Sequence, residues 1–118
     1  MDVRRYAVVL TLLVLALGAC SSSGSKGSDD RARAAVTIKL FQFSPNPLRI
    51  GAGEKVTWTN TDDIAHTITS GAPESPTGVF DSGNFAKGGT FSFTFDQPGT
   101  SAYFCRNHNT MRGQIHVT

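Results

Sequence analysis

Excess charge, cysteine, histidine and helical periodicity are all scarce in this chain of 118 residues. Eleven Lys and Arg stand against nine Asp and Glu. From Ala35 onward six basic residues (Lys39, Arg49, Lys55, Lys87, Arg106, Arg112) meet six acidic ones (Glu54, Asp62, Asp63, Glu74, Asp81, Asp96). With no basic stripe and no base-stacking motif, nucleic acid is not expected as a partner. No nucleophile elbow is present, so a serine hydrolase is not supported. The uncharged run over residues 6–19 is shorter than the roughly 20 apolar residues that a spanning helix needs. No stretch repeats its apolar residues at 3.6, and the length leaves room for one domain. Only two cysteines (Cys20, Cys105), three histidines (His66, His108, His116) and one methionine beyond the first (Met111) can supply soft chemistry.

Those few residues are not scattered evenly. Arg4 and Arg5 precede the uncharged run, and small residues follow it, as in a secretory signal peptide over residues 1–19. Leu17-Gly18-Ala19-Cys20 resembles the lipobox of bacterial lipoproteins, which implies cleavage before Cys20 and lipid on its sulfur. An ordinary signal peptide with an incidental Cys20 is the other reading. Residues 20–34 then form the lipidated cysteine and a Ser/Gly-rich linker with nothing apolar to bury. Fourteen flexible residues reach about 20 Å, enough to hold a domain off a membrane surface. The expected location is the extracytoplasmic or periplasmic face of a bacterial membrane. If Cys20 carries lipid, Cys105 has no disulfide partner, and an unpaired thiol in an exported chain calls for a special role.

The folded domain is expected over residues 35–118, with a period of two. Val36, Ile38 and Leu40 alternate with polar residues, then Phe41 and Phe43 take the opposite phase, which suggests a bulge or a change of sheet. Val56 and Trp58 alternate with Lys55, Thr57 and Thr59; Phe91, Phe93 and Phe95 alternate with Thr90, Ser92 and Thr94; Ile115 and Val117 share a face near the end. Residues 71–89, rich in Gly, Pro and Ser, read as a loop with isolated apolar pins. Seven to eight short strands between Gly/Pro turns predict an all-β, antiparallel Greek-key sandwich.

Chemistry concentrates in Cys105-x2-His108-x2-Met111, three metal donors within seven residues. Cys105 ends a predicted strand, His108 and Met111 follow in a tight loop, and Gly113 lets the chain turn back. His66, at the head of another strand, is the histidine far enough upstream to add a fourth ligand. Two His, one Cys and a weak axial Met form the set used by blue-copper sites. Taken singly, Cys105 is an ordinary buried thiol, Met111 a core residue and His66 a loop histidine; only their spacing raises them to ligands. His116, out of phase with Ile115 and Val117, is expected to face solvent, and Asp62-Asp63 to be a solvated loop.

Tyr103-x-Cys105-x2-His108-x2-Met111-x-Gly113-x-Ile115-x-Val117 resembles the C-terminal signature of the plastocyanin and amicyanin branch of the cupredoxins. The short gap from His108 to Met111 is similar to amicyanin's. Val56-Thr57-Trp58-x-Asn60, His66-Thr67, Phe80-Asp81-Ser82-Gly83 and Phe91-x-Phe93-x-Phe95-x2-Pro98-Gly99 extend the resemblance over the whole domain. It implies one copper ion held by His66, Cys105 and His108, both histidines through Nδ1, with Met111 axial. It also implies that Asn60 ties the His66 loop to the Cys105 loop and bonds near the sulfur, and that His108 is the partly exposed electron port. Ser101 stands where the family has Tyr, and Thr67 where amicyanin has Asn.

The function expected is a single-electron carrier, working with redox partner proteins as a lipid-anchored monomer. A copper-buffering or delivery protein is the alternative, although no Met cluster accompanies Met111. An enzyme is not expected, because multicopper oxidases and nitrite reductases need more histidines than this chain holds.

Overall fold

The computed structural model describes residues 34–118, and Cys20, the signal peptide and most of the linker lie outside them. The described residues form nine strands and no helix. They are β1 (Ala35–Lys39), β2 (Gln42–Ser44), β3 (Leu48–Ile50), β4 (Glu54–Asn60), β5 (Thr69–Ala72), β6 (Ser75–Asp81), β7 (Thr90–Phe95), β8 (Gly99–Cys105) and β9 (His108–Val117). One sheet is ordered β2-β1-β4-β7 and the other β3-β9-β8-β5-β6. Two pairings, β1 with β4 and β3 with β9, are parallel; the rest are antiparallel.

Alternation explains why the two sheets face each other. Val36 and Ile38 of β1 and Val56 and Trp58 of β4 are buried, while Ala35, Thr37, Lys39 and Lys55 point to solvent. The opposing sheet sends in Ile50, Phe80, Tyr103, Cys105, Met111, Ile115 and Val117, so the sulfur donors belong to the same apolar cluster as the core. Trp58, fully buried, is the centrepiece, with ring centroids 5.3 Å from Tyr103, 5.8 Å from Phe91 and 6.2 Å from Phe80. Complete burial of one such side chain contributes roughly 1.5–3 kcal/mol, so this cluster anchors the rigid face on which the donors sit.

Three features depart from the pattern read along the chain. The phase flip after Ile38 is neither a bulge nor a change of sheet. Leu40 and Phe41 form a two-residue hairpin turn from β1 to β2, both at positive φ (51° and 59°). That is the turn whose twist matches paired strands, although Asn and Gly usually occupy it. Residues 71–89 are not wholly loop, because β6 pairs with β5 there. Its Pro76 is tolerated because β6 is a sheet edge, where a missing N–H breaks no ladder. Gly113 does not turn the chain: it lies inside β9 opposite Tyr103, without positive φ, and the phenol ring occupies the space of its missing side chain.

Candidate metal centre

Sheet pairing assembles the site. Thr69 of β5 pairs with Phe104 of β8, which brings the residues just ahead of β5 beside the end of β8. His66 is fixed there by a two-way backbone bridge with Phe85, N–H to O at 3.2 Å and 3.0 Å. Beyond Cys105 only Arg106 and Asn107 make the turn, so His108 opens β9 directly opposite Cys105. His108 and Met111 thus sit on a strand rather than in a loop. The Asn107 side chain donates to Ala65 O (3.1 Å) and Asn84 Oδ1 (2.8 Å), locking this turn to the His66 segment.

Nδ1 of His66 lies 3.7 Å from Cys105 Sγ, and Nδ1 of His108 lies 3.6 Å from it. All three donors fall within 4.8 Å of one another and could hold a metal ion. These separations match the edges of a small coordination polyhedron. With metal–sulfur and metal–nitrogen bonds of about 2.3 and 2.05 Å, S···N edges are about 3.6 Å at a tetrahedral angle and about 3.8 Å at a trigonal one. Cys105 and His66 are fully buried, whereas His108 is half-buried and is the most exposed of the three. Met111 is buried on β9 within the cluster that contains Cys105.

The surrounding hydrogen bonds fix the donors. The Thr67 N–H donates to Cys105 Sγ at 3.4 Å. The Thr67 hydroxyl accepts the Arg106 N–H at 2.8 Å and bonds Thr69 Oγ1 at 3.0 Å. A threonine therefore supplies the link between the two ligand segments that the resemblance assigns to an asparagine. From Thr69 the network continues to Asp81, whose Oδ2 accepts from Arg106 Nε at 2.9 Å. Burial works against ionisation of Asp81, but bonds from Gly83 N–H, Arg106 and Thr69 outweigh it and hold its carboxyl below the usual range. Asn60, buried at the end of β4, donates to Ile64 O (2.8 Å) and Phe85 O (3.0 Å) and accepts the Asp62 N–H (2.9 Å). It braces the His66 loop from below, and the bond to sulfur comes from Thr67 instead.

Asp62 is the site residue that the sequence concealed. Its side chain is only 10% exposed, and Oδ2 lies 2.9 Å from His66 Nε2. The same carboxylate accepts the backbone N–H of Leu40 (Oδ1, 2.7 Å) and of Phe41 (Oδ2, 3.0 Å). Desolvation opposes its charge, and these three donors outweigh that and lower its pKa. Nothing in an Asp-Asp pair within a polar loop signals this, because the partners arrive from a turn over 20 residues upstream. Phe41, half exposed, stands edge-on to both imidazoles, with ring centroids 4.9 Å from His108 and 5.5 Å from His66. Asp63 pairs with Lys87 at the surface as expected of a solvated acid. Ser101 leaves an open groove of about 290 Å³ bounded by Val79, Phe80 and Thr100. It lies away from the donors. His116, half-buried, has one side-chain hydrogen bond among the described residues, to Gln114.

Two facing β-sheets carrying a His-Cys-His cluster define a metal-binding cupredoxin-like protein. The family profile described as "Copper binding proteins, plastocyanin/azurin family" matches residues 31–118. Plastocyanin of Scenedesmus fuscus is 35% identical over 96 residues, covering 70% of this chain and 98% of that protein. Amicyanin-alpha of Methylorubrum extorquens is 32% identical over 82 residues, covering 70% of this chain and 69% of its own. Among solved structures, a purple cupredoxin from Nitrosopumilus maritimus superposes with a TM-score of 0.68 at 29% identity, covering 72% of this chain and 99% of that one. An oxidised amicyanin mutant gives 0.65 at 26% identity, covering 73% and 82%. The chain belongs to the plastocyanin/azurin family of copper-binding proteins. Its cofactor is one copper ion, and the His66, Cys105 and His108 geometry fits it.

Proposed function

We propose that the chain is a single-electron carrier, with His66, Cys105 and His108 as the strong copper ligands and Met111 as a weak axial one. The observation that supports this best is that the three donor atoms already stand at coordination-edge distances on paired strands and a bridged loop. Copper supplies the one-electron couple; the protein's residues supply its constancy. Cys105 is aimed by the core and held by the Thr67 N–H, and His66 by the Phe85 bridge and Asp62. Donors fixed in this way need little reorganisation when the charge on the ion changes, and small reorganisation favours fast transfer. The half-buried His108 offers the edge through which an electron would enter and leave. Asn60 takes its part as a brace for the His66 loop. Donor and acceptor would be separate redox proteins meeting the monomer at that edge. Catalysis on a substrate is not part of this reading.

Export is part of the same proposal, supported by Leu17-Gly18-Ala19-Cys20 behind the apolar run, with lipid on Cys20 and residues 20–34 as tether. Metabolic labelling with a radioactive fatty acid checks it, and a Cys20→Ala chain that still takes up label would refute it. For the carrier, the copper-loaded protein should show an intense visible thiolate-to-Cu(II) band and reversible electrochemistry. Cys105→Ala should remove the band while the domain stays folded; a band that survives refutes the ligand assignment. Met111→Leu should keep copper bound and raise the reduction potential, and a lower potential would contradict the axial role. Rapid loss of copper to a mild chelator, without reversible redox, would favour buffering or delivery.

A further inference from the structure

The geometry points to Asp62 as a positioning residue of the copper centre: one carboxylate orients the His66 ring and, through the Leu40–Phe41 turn, seats Phe41 against both histidine ligands. This rests on the copper reading above. Three observations meet at the carboxylate. Ionised Asp only accepts hydrogen bonds, so the 2.9 Å contact makes His66 Nε2 the protonated nitrogen. Nδ1 then carries the free lone pair, and Nδ1 is the atom that faces Cys105 Sγ. A carboxylate behind a ligating imidazole also raises its basicity, which favours Cu(II) over Cu(I).

The second observation is strain. Leu40 and Phe41 are both left-handed, a conformation that β-carbons disfavour and that Gly or Asn normally occupies. Such residues persist where surrounding bonds over-determine them, and they concentrate at functional sites. Here the over-determining group is Asp62, which accepts both of their N–H groups. The third observation is what the turn holds in place. Phe41 is half exposed and adds little to the core, yet its ring edge meets His66 and His108 together. A two-residue turn of Gly or Asn would be less strained and would leave both imidazoles uncovered.

Wild-type protein loaded with Cu(II) is the first measurement; a missing thiolate band there fails the copper reading and leaves Asp62 to be judged on the metal-free protein. In the metal-free protein, NMR should find the His66 Nε2 proton exchanging slowly. Asp62→Asn should speed that exchange about tenfold or more, the factor expected when a hydrogen bond to a charged group is weakened. It should also move the His108 ring shifts toward those of Phe41→Gly, because the aromatic ring loses its seat. In the loaded protein Asp62→Asn should lower the preference for Cu(II) about tenfold, raising the potential by about 59 mV for one electron. Phe41→Gly alone relieves the strained turn and should leave the Nε2 proton protected. If Asp62→Asn does not fold, the double variant with Phe41→Gly reads the His66 half. An Nε2 proton equally protected without the Asp62 charge, or unchanged His108 shifts, overturns the assignment.

Discussion

Replacing Gly113 by Ala tests the packing that holds the ligand hairpin. A β-carbon built there would lie 2.3 Å from Tyr103 Cζ, 2.5 Å from its Oη and 2.8 Å from Cε1. Ordinary contacts are about 3.5–4.0 Å, so the overlap exceeds 1 Å at Cζ. The ring cannot swing away cheaply, since Phe43 stands 4.7 Å and Trp58 5.3 Å from it, centroid to centroid. Overpacking of this kind costs typically 1–3 kcal/mol. Without the ring, Gly→Ala at a compatible backbone would stabilise by about 0.4–1 kcal/mol through the unfolded chain. The sign of the effect therefore decides the question. The assay is thermal unfolding of the metal-free protein, because bound copper would add its own linkage. A loss near 2 kcal/mol should lower Tm by roughly 8–16 °C for a domain of this size. In a Tyr103→Leu background the same Gly113→Ala change should cost almost nothing, giving a coupling of about 0.5–3 kcal/mol. Wild-type or greater stability in Gly113→Ala would refute the claim that the phenol ring excludes a side chain.

Tyr103 makes a second prediction. Its hydroxyl and Trp58 Nε1 are both buried without a hydrogen-bond partner among the described residues, and burial pushes the phenol pKa up to about 12, with the neighbouring Trp58 indole acting in the opposite direction. A raised pKa means that the folded state keeps its proton while the unfolded chain loses it near pH 10. Stability is thus intact below pH 10 and falls by about 2–3 kcal/mol as pH rises to 12. Unfolding midpoints across that range should show the fall in wild type, and Tyr103→Phe should remove that slope. Thr67→Val keeps the N–H that faces Cys105 Sγ but deletes the hydroxyl that accepts from Arg106. It should cost about 1–3 kcal/mol by leaving that N–H unpaired, read by metal-free unfolding; an unaltered midpoint would show the bond to be dispensable.

Alternation along Val36–Ile38, Val56–Trp58 and Phe91–Phe95 is enough to indicate a sandwich, because a half-buried strand writes its two faces directly into residue order. The β5–β6 hairpin was hidden because its outer strand is an exposed edge, buried only at Phe80, and needs no apolar alternation. Gly113 reads as a turn in the sequence because glycine signals freedom of φ and closeness of packing in the same way. Only the Tyr103 ring across the strand separates the two.

Fold class and candidate donors are legible in residue order, since His66 and the Cys105-His108-Met111 spacing are local facts of the chain. Tertiary structure alone decided what surrounds them. Pairing of β5 and of β9 with β8 set the two sulfur–nitrogen distances. The β5–β8 pairing gave the sulfur its hydrogen bond from Thr67, while the β1–β4 pairing, with Ile38 opposite Asn60, brought Asp62 to the Leu40–Phe41 turn as well as to His66. The physical reason is that a donor's identity is carried by one side chain, whereas its orientation depends on partners tens of residues away that only folding brings within about 3 Å.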